Sequence, residues 1–142
     1  IGAERLTLLP RAATTAAHLA LYHQVDIALD PFPYSGTTTT CEALWMGVPV
    51  ITLRGERHAG RVGASLLNKI GLGEMVAENQ DQYVGIGIEL AEDMNALENL
   101  RAGLRSHMQS SALCDGRAFA RTMEYAFQKA WRNWCQKNDQ RN

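Results

Sequence analysis

The sequence predicts an α/β fold in which a parallel sheet is covered by helices on both faces. Two short runs rich in apolar residues, 25–29 and 48–53, enclose a helical segment, and this strand–helix–strand order is typical of parallel sheets. Both runs place apolar residues on either side of the strand, which indicates burial on both faces. The length of 142 residues is that of about one domain, so we predict a single domain over residues 1–142.

Turn residues and helical spacings define the individual elements. Thr14 or Thr15 is placed to cap the first helix. Gly47 ends the second helix, and Pro49 begins a strand at a position that proline tolerates. The predicted strands are residues 5–9, 25–29, 48–53 and 75–77, and the predicted helices are residues 16–24, 38–46, 61–70, 80–92, 94–109 and 117–134, with a frayed end over residues 138–142.

Two of the later helices differ in what their apolar residues imply. In the helix over residues 94–109, the polar side carries Arg101 and Arg105, which we expect in solvent. Its apolar stripe is predicted to be core. The final helix has a much wider apolar face, which either packs on a second domain or closes this domain's own sheet. That face comprises Phe119, Met123, Ala126, Phe127, Ala130, Trp131 and Trp134.

Composition and charge limit the class of protein. The formal net charge of −1 gives no support for a nucleic-acid or anionic-membrane partner. Cys41, Cys114 and Cys135 are widely spaced and form no CxxC pair, which favours a reducing, cytoplasmic location over a disulfide framework or a zinc site. The chain has no signal-peptide pattern, starts without methionine and enters a strand pattern at once, so we expect a piece of a longer protein.

Three polar loops are predicted to meet at one edge of the sheet. They are residues 10–15, 30–37 and 54–60, and each follows a predicted strand. Ligands of open parallel sheets bind at the carboxyl ends of the strands, so these loops predict a single site. In and after the third loop, Arg57, His58 and Arg61 are either contacts for phosphate or sugar oxygens or solvated side chains.

The second loop leads into a run of four threonines that opens a helix. Gly36 allows a sharp turn, and Thr37, Thr38 and Thr39 place hydroxyls and backbone N–H groups at the helix start. Free N–H groups and the helix dipole favour a bound phosphate there. The alternative is a capping box without a ligand, in which Thr39 and Glu42 satisfy the first turn reciprocally.

Several motifs together resemble one family. They are LD-x-x-P at residues 29–33, G-x-TT at 36–39, ALW-x-G-x-P at 43–49 and GE-x-x-x-x-RV at 55–62. In these motifs the chain resembles the O-linked N-acetylglucosamine transferase family, including the SPINDLY-like glycosyltransferases that carry TPR repeats. The resemblance extends over nearly the whole chain. It implies the C-terminal, Rossmann-like half of a GT-B enzyme that inverts at the anomeric carbon and needs no metal or other cofactor to bind its UDP-sugar.

The resemblance also implies roles for individual residues. Thr38 and Thr39 match paired threonines that hold the diphosphate, whereas Thr37 stands where the animal enzymes have histidine. Glu42 matches an aspartate that binds the ribose hydroxyls, and His18 matches a histidine beside the nucleotide. The implied UDP-sugar site is therefore Gly36, Thr37, Thr38, Thr39, Glu42 and His18, with the backbone of Ala12 and Ala13 at the uracil edge.

Two positions depart from the animal enzymes. Thr15 replaces a diphosphate-binding lysine, and Leu21 replaces an arginine. Either Arg11 or Arg61 supplies the positive charge instead, or donor binding is weak.

The leading hypothesis is the donor-binding domain of a transferase that moves N-acetylglucosamine from UDP to protein Ser/Thr. The resemblance places the acceptor site in an absent N-terminal half that packs on the C-terminal helix, so no catalytic residue is assigned here and the isolated chain is expected to be inactive. One alternative is an interaction module with a vestigial nucleotide site. Another is a different GT-B enzyme, such as an epimerase.

Overall fold

A computed structural model of the chain describes residues 2–139. Short 3-10 turns occur at Ala3–Arg5, Leu21–Gln24, His58–Gly60 and Gly73–Met75. The strands are β1 (Ala28–Leu29), β2 (Val50–Leu53) and β3 (Val76–Ala77), and the helices are α1 (Thr15–Ala20), α2 (Thr38–Trp45), α3 (Val62–Lys69), α4 (Gln80–Glu92), α5 (Met94–Ser110) and α6 (Gly116–Asp139).

The three strands form a parallel sheet in the order β1-β2-β3. Ala28 lies opposite Val50, and Thr52 lies opposite Val76. Each strand is followed by helical structure before the next strand begins, as parallel pairing requires. The predicted α/β fold with a parallel sheet is confirmed.

The core is built where β2 meets the helices that pack around it. Leu44, Ile51, Leu67 and Leu104 come from four different elements, and all are fully buried. The stripe predicted on α5 is core, as expected, because Leu97, Leu104 and Met108 are buried and Leu100 packs against them. The rest of the buried cluster is Ala43, Val48, Val50, Ala64, Ile70, Leu72, Met75 and Val76.

The strand predicted over residues 5–9 is wrong. Ala3–Arg5 is a 3-10 turn, and residues 6–9 have no strand partner among the described residues. A strand exists only when a neighbouring strand satisfies its backbone groups, and the apolar pattern alone supplies none. The side chains here are accordingly exposed, with Leu8 at 95%.

The strand predicted over residues 25–29 is shorter than expected, because a side chain forms hydrogen bonds with the carbonyls of its first two residues. Arg101 Nη1 donates hydrogen bonds to the carbonyls of Val25 and Asp26, each at 2.7 Å. Arg105 similarly donates from Nε to the carbonyl of Trp45 at 2.8 Å. Both arginines were expected in solvent, and both instead hold α5 against other elements. The helix predicted over residues 16–24 likewise tightens after Ala20 into a 3-10 turn.

The final helix is longer than predicted, and its apolar face is exposed. It continues to Asp139, so Asn138 is helical rather than frayed, and residues 140–142 lie outside the described residues. Its aromatic face does not close the sheet, since Phe127 and Trp131 are 66% and 64% exposed. Among the described residues, none of the helices has both the length and the apolar character needed to cross a membrane.

Candidate functional site

A cleft of about 610 Å³ lies beside the amino-terminal part of the fold. Residues 9–15 form one wall, and His18, Leu21 and Glu42 complete it. The cleft therefore brings together five of the predicted site residues, which come from a loop, from α1 and from α2. These are Arg11, Ala12, Ala13, His18 and Glu42.

Helix α1 begins with a side-chain cap and carries His18 into the cleft. Of the two predicted candidates, Thr14 is the cap, because its Oγ1 accepts a hydrogen bond from the Ala17 N–H at 3.1 Å. The cap fixes the start of a helix that is only six residues long. It thereby sets the position of His18, which lies one turn further along.

Glu42 is held in the cleft by two side chains. Its Oε2 lies 3.1 Å from His18 Nε2 and 3.3 Å from the Tyr22 hydroxyl. The alternative interpretation, a capping box of Thr39 and Glu42, is therefore wrong: Thr37 is the residue before the helix, and no side chain caps α2. The carboxylate points towards α1 instead of back towards its own helix.

The threonine turn is positioned by Asp30, at the carboxyl end of β1. Asp30 is buried, and its Oδ1 accepts a hydrogen bond from the Gly36 N–H at 2.6 Å. Its Oδ2 accepts one from the Thr52 hydroxyl on β2, also at 2.6 Å. The Tyr83 hydroxyl on α4 donates a hydrogen bond to the backbone carbonyl of Asp30 at 3.0 Å. One carboxylate thus ties the turn to two strands.

The turn itself leaves its donors available. Thr37, Thr38 and Thr39 are exposed, and within residues 2–139 nothing accepts a hydrogen bond from their backbone N–H groups. Every helix has such free groups in its first turn, and they attract anions. Because Glu42 is three and four residues beyond Thr39 and Thr38, all three lie on one side of α2.

The permanent positive charge in the cleft comes from Arg11. Thr15 and Leu21, the two departures from the animal enzymes, both line the cleft, and neither has a charge. Among the described residues that line it, only Arg11 is permanently cationic. Arg11 is exposed at the cleft wall.

Arg61 lies elsewhere. Its Nε donates a hydrogen bond to the carbonyl of Gly55 at 2.9 Å and so closes the loop before α3. With His58 it lines a separate cavity of about 310 Å³. Arg57 comes directly before the 3-10 turn at His58–Gly60 and is exposed.

Two protonation equilibria are shifted beside the cleft. Burial, followed by the charge of Glu42 and its hydrogen bond, raises the pKa of Tyr22 to about 12. The phenol is therefore neutral and remains a hydrogen-bond donor at physiological pH. Burial, then Cys114 and Glu42, raises the pKa of the Cys41 thiol, which makes it a poor nucleophile.

The family of the chain follows from its sequence. Residues 1–123 match the model of glycosyl transferase family 41. The chain belongs to glycosyl transferase family 41. The resemblance stated from the motifs is thus confirmed, and it extends over most of the sequence.

Relatives in family 41 include plant and animal proteins. The chain is 49% identical over 131 residues to a protein of Hordeum vulgare named probable UDP-N-acetylglucosamine–peptide N-acetylglucosaminyltransferase SPINDLY, covering 92% of this chain and 14% of that protein. It is 32% identical over 122 residues to a UDP-N-acetylglucosamine–peptide N-acetylglucosaminyltransferase of Caenorhabditis elegans, covering 86% of this chain and 11% of that protein. The chain therefore spans about one seventh or less of these relatives.

A solved structure in the same family shares the fold. A mutant O-GlcNAc transferase of Thermobaculum terrenum superposes with a TM-score of 0.87 at 45% identity, covering 94% of this chain and 26% of that chain. The predicted fold class, the C-terminal Rossmann-like half of a GT-B transferase, is confirmed by this match together with the parallel sheet.

Sequence reasoning missed two residues of the site. Asp30 was interpreted only as the end of a strand, although a carboxylate directly after an apolar strand often faces the ligand edge of a parallel sheet. Tyr22 was placed on a helix, but nothing local indicates its contact with Glu42, twenty residues later.

Proposed function

We propose that this chain binds the nucleotide-sugar donor of a protein glycosyltransferase. The donor is UDP-N-acetylglucosamine, and the acceptor is a Ser or Thr hydroxyl of a protein. The observation that carries the proposal is the cleft, which brings Arg11, His18 and Glu42 together. Gly36–Thr39 do not line this cleft, but Glu42 belongs to the helix that the threonines open. The names of the family relatives supply the donor and acceptor class.

The proposed arrangement assigns one part of the donor to each part of the site. The pyrophosphate lies at Gly36–Thr39, where the backbone N–H groups and hydroxyls of the threonines donate to its oxygens. Glu42 accepts hydrogen bonds from the ribose hydroxyls, and His18 lies beside the nucleoside. The backbone of Ala12 and Ala13 meets the uracil edge. Arg11 supplies the positive charge that Thr15 and Leu21 do not.

In the proposed reaction the acceptor oxygen forms a bond to the anomeric carbon as the bond from that carbon to UDP breaks. The electron pair leaves with UDP, the configuration inverts, and the hydroxyl proton passes to a base outside this chain. The part played by this chain is to stabilise the charge that develops on the departing diphosphate. We propose that it does so without a metal or other cofactor.

This contribution is too small for catalysis by itself. A helix terminus contributes about 0.3–1 kcal/mol at an exposed site and ~2 kcal/mol in a partly buried one. Even a modest enzyme lowers its barrier by ~8 kcal/mol or more. The acceptor site and the base therefore belong to the absent N-terminal half, and we propose that this half packs on the exposed aromatic face of α6. The cytoplasmic location remains a prediction.

Calorimetric titration with UDP tests the proposal. The chain is expected to bind UDP saturably, and the double variant Thr38→Ala with Thr39→Ala is expected to abolish binding. Thr122→Ala is the matched control, since Thr122 is an exposed threonine on α6. GDP and ADP are titrated in parallel, and tighter binding of either one corrects the assigned base. Undetectable binding of all three up to millimolar concentration would refute donor binding.

The second candidate function is an interaction module with a vestigial nucleotide site. The exposed aromatic face of α6 and the uncharged side chains of Thr15 and Leu21 favour it. It predicts no nucleotide binding but association with another domain through α6. The same titration therefore separates the two candidates.

A further inference from the structure

Tyr22 joins the cleft to the threonine turn. Its hydroxyl lies 3.3 Å from Glu42 Oε2 and also 3.3 Å from the backbone carbonyl of Thr39, in the first turn of α2. Its ring stands edge-on to the ring of His18, with 5.8 Å between the centroids. Tyr22 therefore contacts both the cleft, at Glu42 and His18, and the threonine turn, at Thr39.

The contacts leave one oxygen of Glu42 available to the cleft. Both His18 and Tyr22 engage Oε2, and within residues 2–139 no group donates to Oε1. A carboxylate held by one oxygen presents the other in a fixed direction. The phenol is neutral at physiological pH, as shown above, so it donates rather than repels.

We propose that Tyr22 is a positioning residue that fixes the Glu42 carboxylate so that Oε1 accepts hydrogen bonds from the ribose diol of a nucleoside diphosphate. This inference rests on the proposed function and adds a residue to it. The single hydroxyl proton of Tyr22 is shared between Glu42 Oε2 and the Thr39 carbonyl, each 3.3 Å from the phenol oxygen.

The test removes only the Tyr22 hydroxyl and varies the ligand. Tyr22→Phe in the intact protein is titrated with UDP, with 2′,3′-dideoxy-UDP and with inorganic pyrophosphate. The variant is expected to weaken UDP binding about 10-fold, the scale of a lost hydrogen bond to a charged group. Binding of the dideoxy analogue and of pyrophosphate is expected to change less than about 2-fold, because neither presents the diol.

Two further variants complete the design. In a Glu42→Ala background, Tyr22→Phe is expected to add no further loss, because Tyr22 acts through Glu42. Tyr125→Phe is the matched control, since Tyr125 lies on α6, outside the three loops, and is 64% exposed. It is expected to leave the binding of all three ligands unchanged.

The outcomes separate this inference from the proposed function. An equal loss for UDP and its dideoxy analogue shows a merely structural role and overturns the inference, as does unchanged UDP binding. If the wild-type protein binds no nucleotide, the proposed function fails, and the inference is judged on the free protein. There the side-chain carboxyl 13C resonance of Glu42 is expected to move on Tyr22→Phe but not on Tyr125→Phe. An unmoved resonance overturns the positioning role.

Discussion

The Asp30 carboxylate accepts a hydrogen bond from the backbone N–H of Gly36, with 2.6 Å between nitrogen and oxygen. This contact closes the loop between β1 and α2 and sets the direction from which α2 begins. The second carboxylate oxygen binds the Thr52 hydroxyl, so the loop is held to the centre of the sheet. The position of the proposed diphosphate site therefore depends on one buried acid.

Replacing Asp30 with alanine is expected to destabilise the chain by roughly 2–5 kcal/mol, because a buried donor at Thr52 and a half-buried donor at Gly36 lose their acceptor. The measurement is urea unfolding followed by circular dichroism. Asp26→Ala is the control, since the side chain of Asp26 is 80% exposed and meets Arg101 only at 3.7 Å. A loss below about 0.5 kcal/mol, the range of ordinary surface substitutions, contradicts the anchoring role of Asp30.

Position 36 has no room for a side chain, so glycine is required there. A Cβ at this position would lie 2.7 Å from Thr40 Oγ1 and 2.8 Å from Thr39 Oγ1. Gly36→Ala is therefore expected to shift the turn, to cost about 1–3 kcal/mol and to weaken UDP binding. Gly85→Ala on α4 is the matched control: its Cβ would meet nothing within 4 Å, so alanine is expected to stabilise by about 0.5–1 kcal/mol. Equal behaviour of the two variants would show that the turn tolerates a side chain.

Local pattern was sufficient to predict much of the fold. The helices over residues 80–92 and 94–109 agree with α4 and α5 to within one residue, because caps at Asn79 and Asp93 and regular apolar spacing determine them locally. The strand over residues 5–9 was wrong because strand formation depends on a partner elsewhere in the chain. Apolar alternation cannot show whether that partner is present.

The same distinction applies to the site. The threonine turn and His18 were found from motifs, and the cleft contains His18 together with Ala12 and Ala13. Asp30 and Tyr22 act through contacts with residues six to twenty-two positions away in sequence, and such contacts form only in the packed fold. Residues that hold a site in place are therefore harder to predict than those at its surface.

Arg11, rather than Arg61, is expected to supply the positive charge for the diphosphate. Arg11→Gln is expected to weaken UDP binding about 3- to 10-fold and to reduce its salt dependence, because a charge-assisted contact is lost. Arg61→Gln is expected to change affinity less than about 2-fold, since Arg61 is bonded to the Gly55 carbonyl outside the cleft. Titrations of both variants with UDP at low and high salt provide the measurement. A larger effect at Arg61 would assign the charge to the loop before α3.

The aromatic face of α6 is expected to matter only in the intact protein. Phe127 and Trp131 lie one turn apart and are largely exposed, so replacing both with serine is expected to change the stability of the chain by less than about 0.5 kcal/mol. In the intact protein the same double substitution is expected to lower the free energy of unfolding by at least about 3 kcal/mol, because two large aromatic side chains are removed from a packed interface. Lys129→Ser, on the opposite side of the helix, is the control. An intact protein whose melting temperature is unaffected by the pair contradicts packing on this face.

Stability is expected to fall above pH 10 through Tyr22. The phenol titrates near 10.0 in an unfolded chain and at about 12 in the folded one. Between these values unfolding releases a proton, so the stabilisation is complete below pH 10 and is lost as the pH rises towards 12. Burial, then Asp30, also raises the pKa of Tyr83, but that residue is common to wild type and Tyr22→Phe. The urea midpoint is therefore expected to fall more between pH 9 and pH 11 in wild type than in Tyr22→Phe. An equal fall in both proteins would show that Tyr22 ionises as it does in water.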